Sequence, residues 1–161
     1  MNKKKRSATV FTLGDIQKYV ELASKKFIKY DRRLLEISGH EQAAAHRIGC
    51  YLKKYFPDWH VDCEYDRRGT VQKEMPRSGK TDRVRLDIIV HQRETKENLL
   101  CIETKKRSRP KKEFEEAKKR LCELTSPNRD YEYKYGLLIT LIQEEPYVHC
   151  EWFQNGEIIH C

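Results

Sequence analysis

Two apolar runs, separated by a short polar stretch, constrain the fold of this chain most strongly. The first run covers residues 84–91 and the second covers residues 99–105, with the polar residues 92–98 between them. This pattern predicts two β-strands joined by a hairpin loop. Because Ile, Leu and Val occupy successive positions in both runs, we expect the two strands to be buried on both faces.

Three charged residues interrupt these runs. Asp87 lies in the first run, and Glu103 and Lys105 lie in the second. Strand side chains alternate between faces, so Glu103 and Lys105 point the same way, and the hairpin brings Asp87 beside them. Two carboxylates and an ammonium group suit Mg²⁺-assisted phosphodiester hydrolysis, in which oxygens bind the metal and the cation orients water or offsets phosphate charge. The alternative is a surface salt bridge between Glu103 and Lys105, which the apolar surroundings disfavour.

A fourth candidate, Glu41, lies at the start of a predicted helix over residues 41–56. Apolar residues recur there at helical spacing, and Glu41 falls in the middle of their stripe. We therefore expect its carboxylate to point toward the core side of the first helical turn. The alternative is a capping box from Ser38 to Glu41, in which the glutamate bonds back to the cap, and the two roles can coexist.

The order of these residues resembles the PD-(D/E)XK, or restriction-endonuclease-like, nuclease superfamily. A helix glutamate (Glu41) comes first, an aspartate on a strand (Asp87) follows, and the next strand carries Glu-x-Lys (Glu103 and Lys105). The similarity covers Ser38 to Leu141, including a helix after the Glu-x-Lys strand and a further strand. Leu86 stands where the family name has proline.

This resemblance implies an α/β fold, with a mixed central β-sheet flanked by helices. The restriction-endonuclease-like core would cover residues 38–161 of a single domain spanning 15–161. Apolar residues at helical spacing predict an extra N-terminal helix over 15–37 of that domain, and the run of basic residues at the start predicts a flexible arm over 1–14. The resemblance also implies that Asp87 and Glu103 bind Mg²⁺, for which Mn²⁺ can substitute. Lys105 would position the attacking water, and Glu41 would be an auxiliary carboxylate at the metal or its water shell.

Net charge is +8, and the basic residues cluster on both sides of the proposed site. The long connection before the Asp87 strand, which we predict to be a loop, carries Arg67, Arg68, Lys73, Arg77, Lys80, Arg83 and Arg85. The segment leaving the Glu-x-Lys strand carries Lys106, Arg107, Arg109, Lys111 and Lys112. Nucleic-acid phosphates are the natural partner, with affinity that falls steeply with salt. A generally basic surface would not explain this placement around acidic residues.

The remaining elements follow from spacing and turn residues. We predict a strand over residues 60–65, a helix over 114–124, and a strand over 135–142. A final hairpin pairs residues 148–153 with residues 157–160 through Asn155 and Gly156.

The cysteine spacing and the lengths of the apolar runs exclude several other classes of protein. The six cysteines form no CxxC pair, so the sequence indicates neither a zinc site nor a disulfide framework. No apolar run reaches the length of about 18 residues that a membrane span needs, and no signal-peptide core follows the basic start. We therefore expect a soluble, cytoplasmic protein with no membrane partner.

The sequence favours a Mg²⁺-dependent endonuclease that acts on DNA. An RNA or branched-DNA substrate for the same site stays open, as does a non-cleaving nucleic-acid-binding protein of the same fold, such as a subunit of a defence or mobile-element system. A weaker alternative is a metal-independent protein-interaction module. A homodimer is an analogy with enzymes that cut both strands of a duplex.

Overall fold

A computed structural model describes residues 9–37, 40–65, 67–68, 71–72, 74–77, 80–83, 85–127 and 132–160, and gives only the backbone for those between 65 and 83. The helices are α1 (Leu13–Asp31), α2 (Arg33–Glu36), α3 (Glu41–Leu52, extended by a 3₁₀ turn over Lys53–Tyr55) and α4 (Lys111–Thr125). The strands are β1 (His60–Tyr65), β2 (Arg67–Arg68), β3 (Val71–Gln72), β4 (Glu74–Arg77), β5 (Lys80–Arg83), β6 (Leu86–His91), β7 (Asn98–Lys106), β8 (Tyr135–Leu141), β9 (Val148–Gln154) and β10 (Glu157–Ile159).

Six of these strands form one mixed sheet in the order β1-β6-β7-β8-β9-β10. Strands β7 and β8 run parallel, joined by the crossover helix α4, and every other neighbouring pair in this sheet is antiparallel. Helices cover both faces of the sheet. The predicted α/β class, with a mixed sheet flanked by helices, is confirmed.

The two faces of the sheet contribute to two separate cores. Ile88 and Ile102 point into the larger core, which they share with α1 and α3. Ile89, Cys101 and Leu138 point to the opposite face and pack under α4. Strands β6 and β7 are thus buried on both faces, as their uninterrupted apolar sequence predicts.

Strands β6 and β7 form the predicted hairpin, and their register positions the charged residues. Ile88 pairs with Ile102 and Ile89 with Cys101, so the next position along β6, Asp87, lies opposite Glu103. The final hairpin is confirmed as well, with Gln154 opposite Glu157 across the turn. Both turn residues there have positive φ, 53° at Asn155 and 81° at Gly156, as a type I′ hairpin turn requires.

The N-terminal helix begins earlier than the sequence pattern indicates and is broken once. Thr12 caps α1 in a capping box with Asp15, which fixes the helix start at Leu13. Phe11, in the segment predicted to be a flexible arm, is buried in the larger core. The helix predicted over 15–37 consists of α1 and the short α2, which meet at Arg32.

The prediction of a loop between β1 and β6 is wrong in part. Arg67–Arg68 pairs with Val71–Gln72, and Glu74–Arg77 pairs with Lys80–Arg83, both antiparallel. Two residues separate the strands of each pair, and each separation contains a glycine. Two-residue connections with glycine are typical of β-hairpins, which explains how a segment rich in turn residues forms paired strands.

Candidate active site

Asp87 is fixed in place by the neighbouring strand. Its Oδ2 accepts hydrogen bonds from the backbone N–H of Thr104 at 2.7 Å and from the Thr104 hydroxyl at 2.8 Å. Burial raises the pKa of Asp87 above its ordinary value, and the nearby Glu103 carboxylate raises it further, while the Thr104 bonds act in the opposite direction. Asp87 is therefore a partly buried carboxyl group for which a cation is a favourable neighbour.

Glu103 is bound by an arginine from the helix that follows its strand. The guanidinium of Arg120, on α4, donates from Nε to Oε1 and from Nη2 to Oε2, the second bond measuring 2.8 Å. The Glu103 side chain is 4% exposed. Hydrogen bonding to Glu103 raises the pKa of Arg120, so the arginine is charged and holds both carboxylate oxygens.

Lys105 lies between two carboxylates. Its Nζ is 3.7 Å from Oε2 of Glu103 and 3.8 Å from Oε1 of Glu41, and it donates a hydrogen bond of 3.1 Å to the carbonyl of Thr104. The lysine side chain is 15% exposed. The Glu103–Lys105 contact is thus a largely buried interaction rather than a surface salt bridge.

Glu41 links the start of α3 to the end of β7. Its Oε2 accepts a hydrogen bond from the backbone N–H of Lys106 at 2.7 Å and lies 3.4 Å from Nε of Arg109. Ser38, the cap residue of the capping-box alternative, lies outside the described residues, and the helix as described begins at Glu41 with His40 at the cap position. The carboxylate is directed at the sheet, and all four candidate residues converge at one end of β6 and β7.

A cavity of about 320 Å³ opens beside Asp87, between the first turns of α3 and the end of β1. Glu64 lines it and lies opposite Asp87, since its neighbours in β1 pair with the residues on either side of Asp87. Arg85 donates a hydrogen bond of 2.6 Å to Glu64. The other lining residues include Gln42 and His46 of α3. A small polar group that enters this cavity reaches the Asp87 carboxyl.

The donor set can be compared with the needs of a hard divalent cation. Within the described residues, Oδ1 of Asp87 accepts no hydrogen bond, and Asp87 faces the cavity. In the same part of the chain, no group of three or more His, Cys, Asp and Glu side chains is arranged to hold a metal ion. Mg²⁺ is commonly held by one or two carboxylates, with water and substrate phosphate completing its shell. Asp87 and Glu103 are two carboxylates at this end of the sheet, and Arg120 engages both oxygens of Glu103.

The predicted phosphate-binding residues fall into two groups. Arg85 pairs with Glu64, Lys106 donates from Nζ to the carbonyl of Ile37 at 2.6 Å, and Arg107 is exposed at the end of β7. The remaining residues lie outside the described side chains: Arg67, Arg68, Lys73, Arg77, Lys80 and Arg83. Among the described side chains, Arg85, Lys106 and Arg107 therefore flank the site where β7 ends.

Three contributors to the site were missed by the sequence reasoning. Arg120 borders the apolar stripe of α4 that contains Ala117 and Leu121, and a cation at that position is a signal for a buried anionic partner. Gln42 follows Glu41 directly, but whether its side chain lines the cavity depends on how α3 packs against the sheet. Glu64 has a positive φ of 52°, so strand alternation gave no guide to its direction.

Comparisons of the chain with protein-family models, with curated proteins and with solved structures found no match. The geometry of the site is therefore the basis for assigning a function. No helix among the described residues has the length and apolar character needed to cross a membrane.

Proposed function

We propose that this protein is a Mg²⁺-dependent endonuclease that hydrolyses phosphodiester bonds in DNA, built on a restriction-endonuclease-like core. The observation that carries the proposal is the convergence of Glu41, Asp87, Glu103 and Lys105 at one end of a buried hairpin. Holding one buried and three partly buried charged groups together is costly, and a purely structural role would not require it. A role at a phosphate accounts for both the carboxylates and the lysine.

In this proposal Asp87 and Glu103 would hold the metal ion, and Glu41 would be an auxiliary carboxylate beside them. Bound Mg²⁺, or Mn²⁺ in its place, supplies positive charge that stabilises the phosphate as the bond to the leaving oxygen breaks. The two hydrogen bonds from Thr104 hold Asp87 in one orientation before any ligand binds. Such preorganisation lowers the cost of assembling the reacting geometry.

Lys105 positions the attacking water and offsets charge on the phosphate. Its ammonium group is oriented by three contacts, with Glu41, Glu103 and the carbonyl of Thr104. Water attacks phosphorus in line with the leaving oxygen, so one P–O bond forms opposite the one that breaks. A lysine anchored in this way can donate a hydrogen bond to the water or to a phosphate oxygen without a large change of rotamer.

Arg120 is a positioning residue in this scheme. Its bidentate bonds to both carboxylate oxygens hold the plane of the Glu103 carboxylate. Because its pairing partner is a proposed metal ligand, Arg120 also reduces the net negative charge of the metal-free site. The energetic cost of bringing Asp87 and Glu103 close together is correspondingly lower.

The same arginine supports the main alternative, a non-cleaving nucleic-acid-binding protein of this fold. Arg120 engages both oxygens of Glu103, so the site is already neutralised in part without a metal. In that case the cations near the site bind phosphates and no bond is broken. RNA or branched DNA remains an alternative substrate for the same site. A homodimer, a partner protein from a defence or mobile-element system and a cytoplasmic location are likewise proposals.

The proposal is tested by incubating the protein with supercoiled plasmid, linear duplex and branched DNA, in Mg²⁺, Mn²⁺ or EDTA. We expect metal-dependent cutting that is lost in Asp87→Asn, which keeps an oxygen acceptor for Thr104 but removes the charge. Lys96→Ala is the control, because Lys96 lies on the exposed turn at the opposite end of β7. Binding without cutting in every metal, together with unchanged binding by Asp87→Asn, would support the non-cleaving alternative.

A further inference from the structure

A basic groove of about 560 Å³ lies beside the proposed site, between the first turns of α4 and the ends of β8 and β9. Its volume falls within the range of about 300–1,000 Å³ that is typical of pockets for small ligands. The lining residues that matter here are Arg107, Arg109, Lys111, Phe114, Lys118 and His149. A space of this size accommodates one or two nucleotides and is too small for a duplex.

The groove begins next to Lys105. Lys105 pairs with Thr140 of β8, and Thr140 pairs with His149 of β9, so the three residues form one row across neighbouring strands. Residues opposite each other in a sheet point to the same face. Thr140 and His149 line the groove, and neighbouring strands are about 4.8 Å apart. A nucleic-acid strand bound at Lys105 can therefore continue directly into the groove.

The groove is lined by four cations and one carboxylate, Glu115, so its net charge is positive and suits a phosphate backbone. Arg109 interacts with Glu41 at 3.4 Å, and Lys118 with Glu151 at 2.6 Å. Within the described part of the chain, Arg107 and Lys111 have no ion-pair partner, and both are exposed. These two cations are free to bind phosphates without first breaking a pair.

Phe114 is the feature that distinguishes this groove from a simple basic surface. It is half-buried at the edge of the smaller core, and it lines a groove whose other lining residues include four cations. An aromatic side chain among cations is the arrangement on which unpaired bases stack, because every base presents a π-face. A base within a duplex is already stacked and does not offer that face.

We propose that this groove binds unpaired nucleotides adjacent to the scissile phosphate, so that the preferred substrate is DNA with a single-stranded segment next to a duplex. The inference rests on the proposed nuclease function and adds the substrate class. Phe114 stacks on a base, and Arg107 and Lys111 bind the phosphates on either side of it. The duplex portion lies outside the groove.

The test is fluorescence-anisotropy binding of the full chain in EDTA, which separates binding from cleavage. The probes are a duplex, and the same duplex with a single-stranded arm. We expect the forked probe to bind about tenfold more tightly than the duplex. Phe114→Leu, which keeps an apolar side chain at the core edge, should abolish this preference, and Phe114→Trp should retain it. Lys111→Ala should weaken fork binding several-fold more than Lys96→Ala.

Equal affinity for the two probes, or a fork preference that Phe114→Leu and Lys111→Ala both leave unchanged, would overturn the inference. The separate cleavage assay keeps the two proposals distinguishable. Metal-dependent cutting of duplex without any fork preference would uphold the nuclease and reject the groove. Fork preference that depends on Phe114, in a protein that cuts no DNA in any metal, would uphold the groove and reject the nuclease.

Discussion

At the scale of single residues, the buried Glu103 depends on its ion pair with the partly exposed Arg120. Two charges removed from water are stable together only when their hydrogen bonds are satisfied, and the bidentate geometry meets this condition. Removing the arginine would leave Glu103 with Lys105 at 3.7 Å as its remaining cation in the described part of the chain, next to the like charge of Asp87. The pair is therefore both a support for the fold and a part of the site.

We predict that Arg120→Met lowers the free energy of unfolding by about 3 kcal/mol, the cost of leaving a buried charge without its partner. Lys119→Met removes the same charge type from an exposed position of α4 and should change stability by less than about 0.5 kcal/mol. Urea unfolding at neutral pH measures both values. Equal stability of the two variants would show that the Glu103–Arg120 pair is not formed as described.

A second, partly buried ionic group lies on the edge strand β1, where Asp62 pairs with Ile89 of β6. Asp62 of β1 accepts hydrogen bonds from Arg93 and is 2.7 Å from Nε2 of His91, whose side chain is 3% exposed. The Arg93 hydrogen bonds lower the pKa of Asp62 to about 2 despite its burial, and His91 acts in the same direction. The folded protein thus prefers the ionised carboxylate more than the unfolded chain does.

We predict that Asp62→Asn costs about 2 kcal/mol of stability near pH 7, since hydrogen bonds to a charged group are lost. A carboxyl with a depressed pKa stabilises the fold above its ordinary pKa of 3.8, and that stabilisation disappears as the pH falls toward about 2. The stability difference between wild type and Asp62→Asn should therefore shrink between pH 4 and pH 2. Urea unfolding across this range is the measurement, and a pH-independent difference would contradict the assignment.

At the scale of elements, the position of Glu41 depends on how closely α3 approaches the sheet. Gly49 is at the contact, where an added Cβ would lie 2.6 Å from Sγ of Cys63 and 3.6 Å from Cγ2 of Ile88. Glycine is otherwise unfavourable in a helix interior by about 1 kcal/mol. Close packing of α3 against β1 and β6 explains its presence and directs the first turn of α3 at the end of β7.

We predict that Gly49→Ala destabilises the protein by about 1–2 kcal/mol, because the overpacked contact outweighs the gain in helix propensity. The double variant Gly49→Ala with Cys63→Ala should recover most of this loss relative to Cys63→Ala alone. A thermodynamic cycle from urea unfolding tests the coupling. Additive effects of the two substitutions would mean that α3 does not contact β1 at Gly49.

At the scale of the whole molecule, the elements with a strong local signal could be predicted from the sequence. The β6–β7 hairpin follows from two uninterrupted apolar runs, and the β9–β10 turn follows from Asn155 and Gly156. The place of Glu41 in an apolar helical stripe predicted that its side chain points toward the sheet. The hydrogen bond that Glu41 accepts from the N–H of Lys106 could not be predicted. Strand alternation and helical spacing indicate which face of an element a residue occupies. That information was enough to predict that Glu41, Asp87, Glu103 and Lys105 converge.

Contacts that depend on tertiary arrangement could not be predicted in the same way. Arg120 meets Glu103 only because the crossover helix α4 returns over β7, and Glu64 reaches the Asp87 cavity through a backbone conformation that breaks strand alternation. The start of α1 at Leu13 was missed because the capping box of Thr12 and Asp15 begins the helix before its apolar pattern starts. In each case a short-range pattern was overridden or completed by a contact distant in sequence.

The central claim is that the converging charges form a catalytic site, and Lys105 tests it most directly. The measurement is the single-turnover rate of DNA cleavage in Mg²⁺ for wild type, Lys105→Met and the exposed control Lys96→Met. The account predicts that Lys105→Met is slower by about 10²-fold or more, the typical effect of losing one preorganised stabilising group, while Lys96→Met matches wild type. Equal rates for all three proteins, or no metal-dependent cleavage by wild type, would contradict the account.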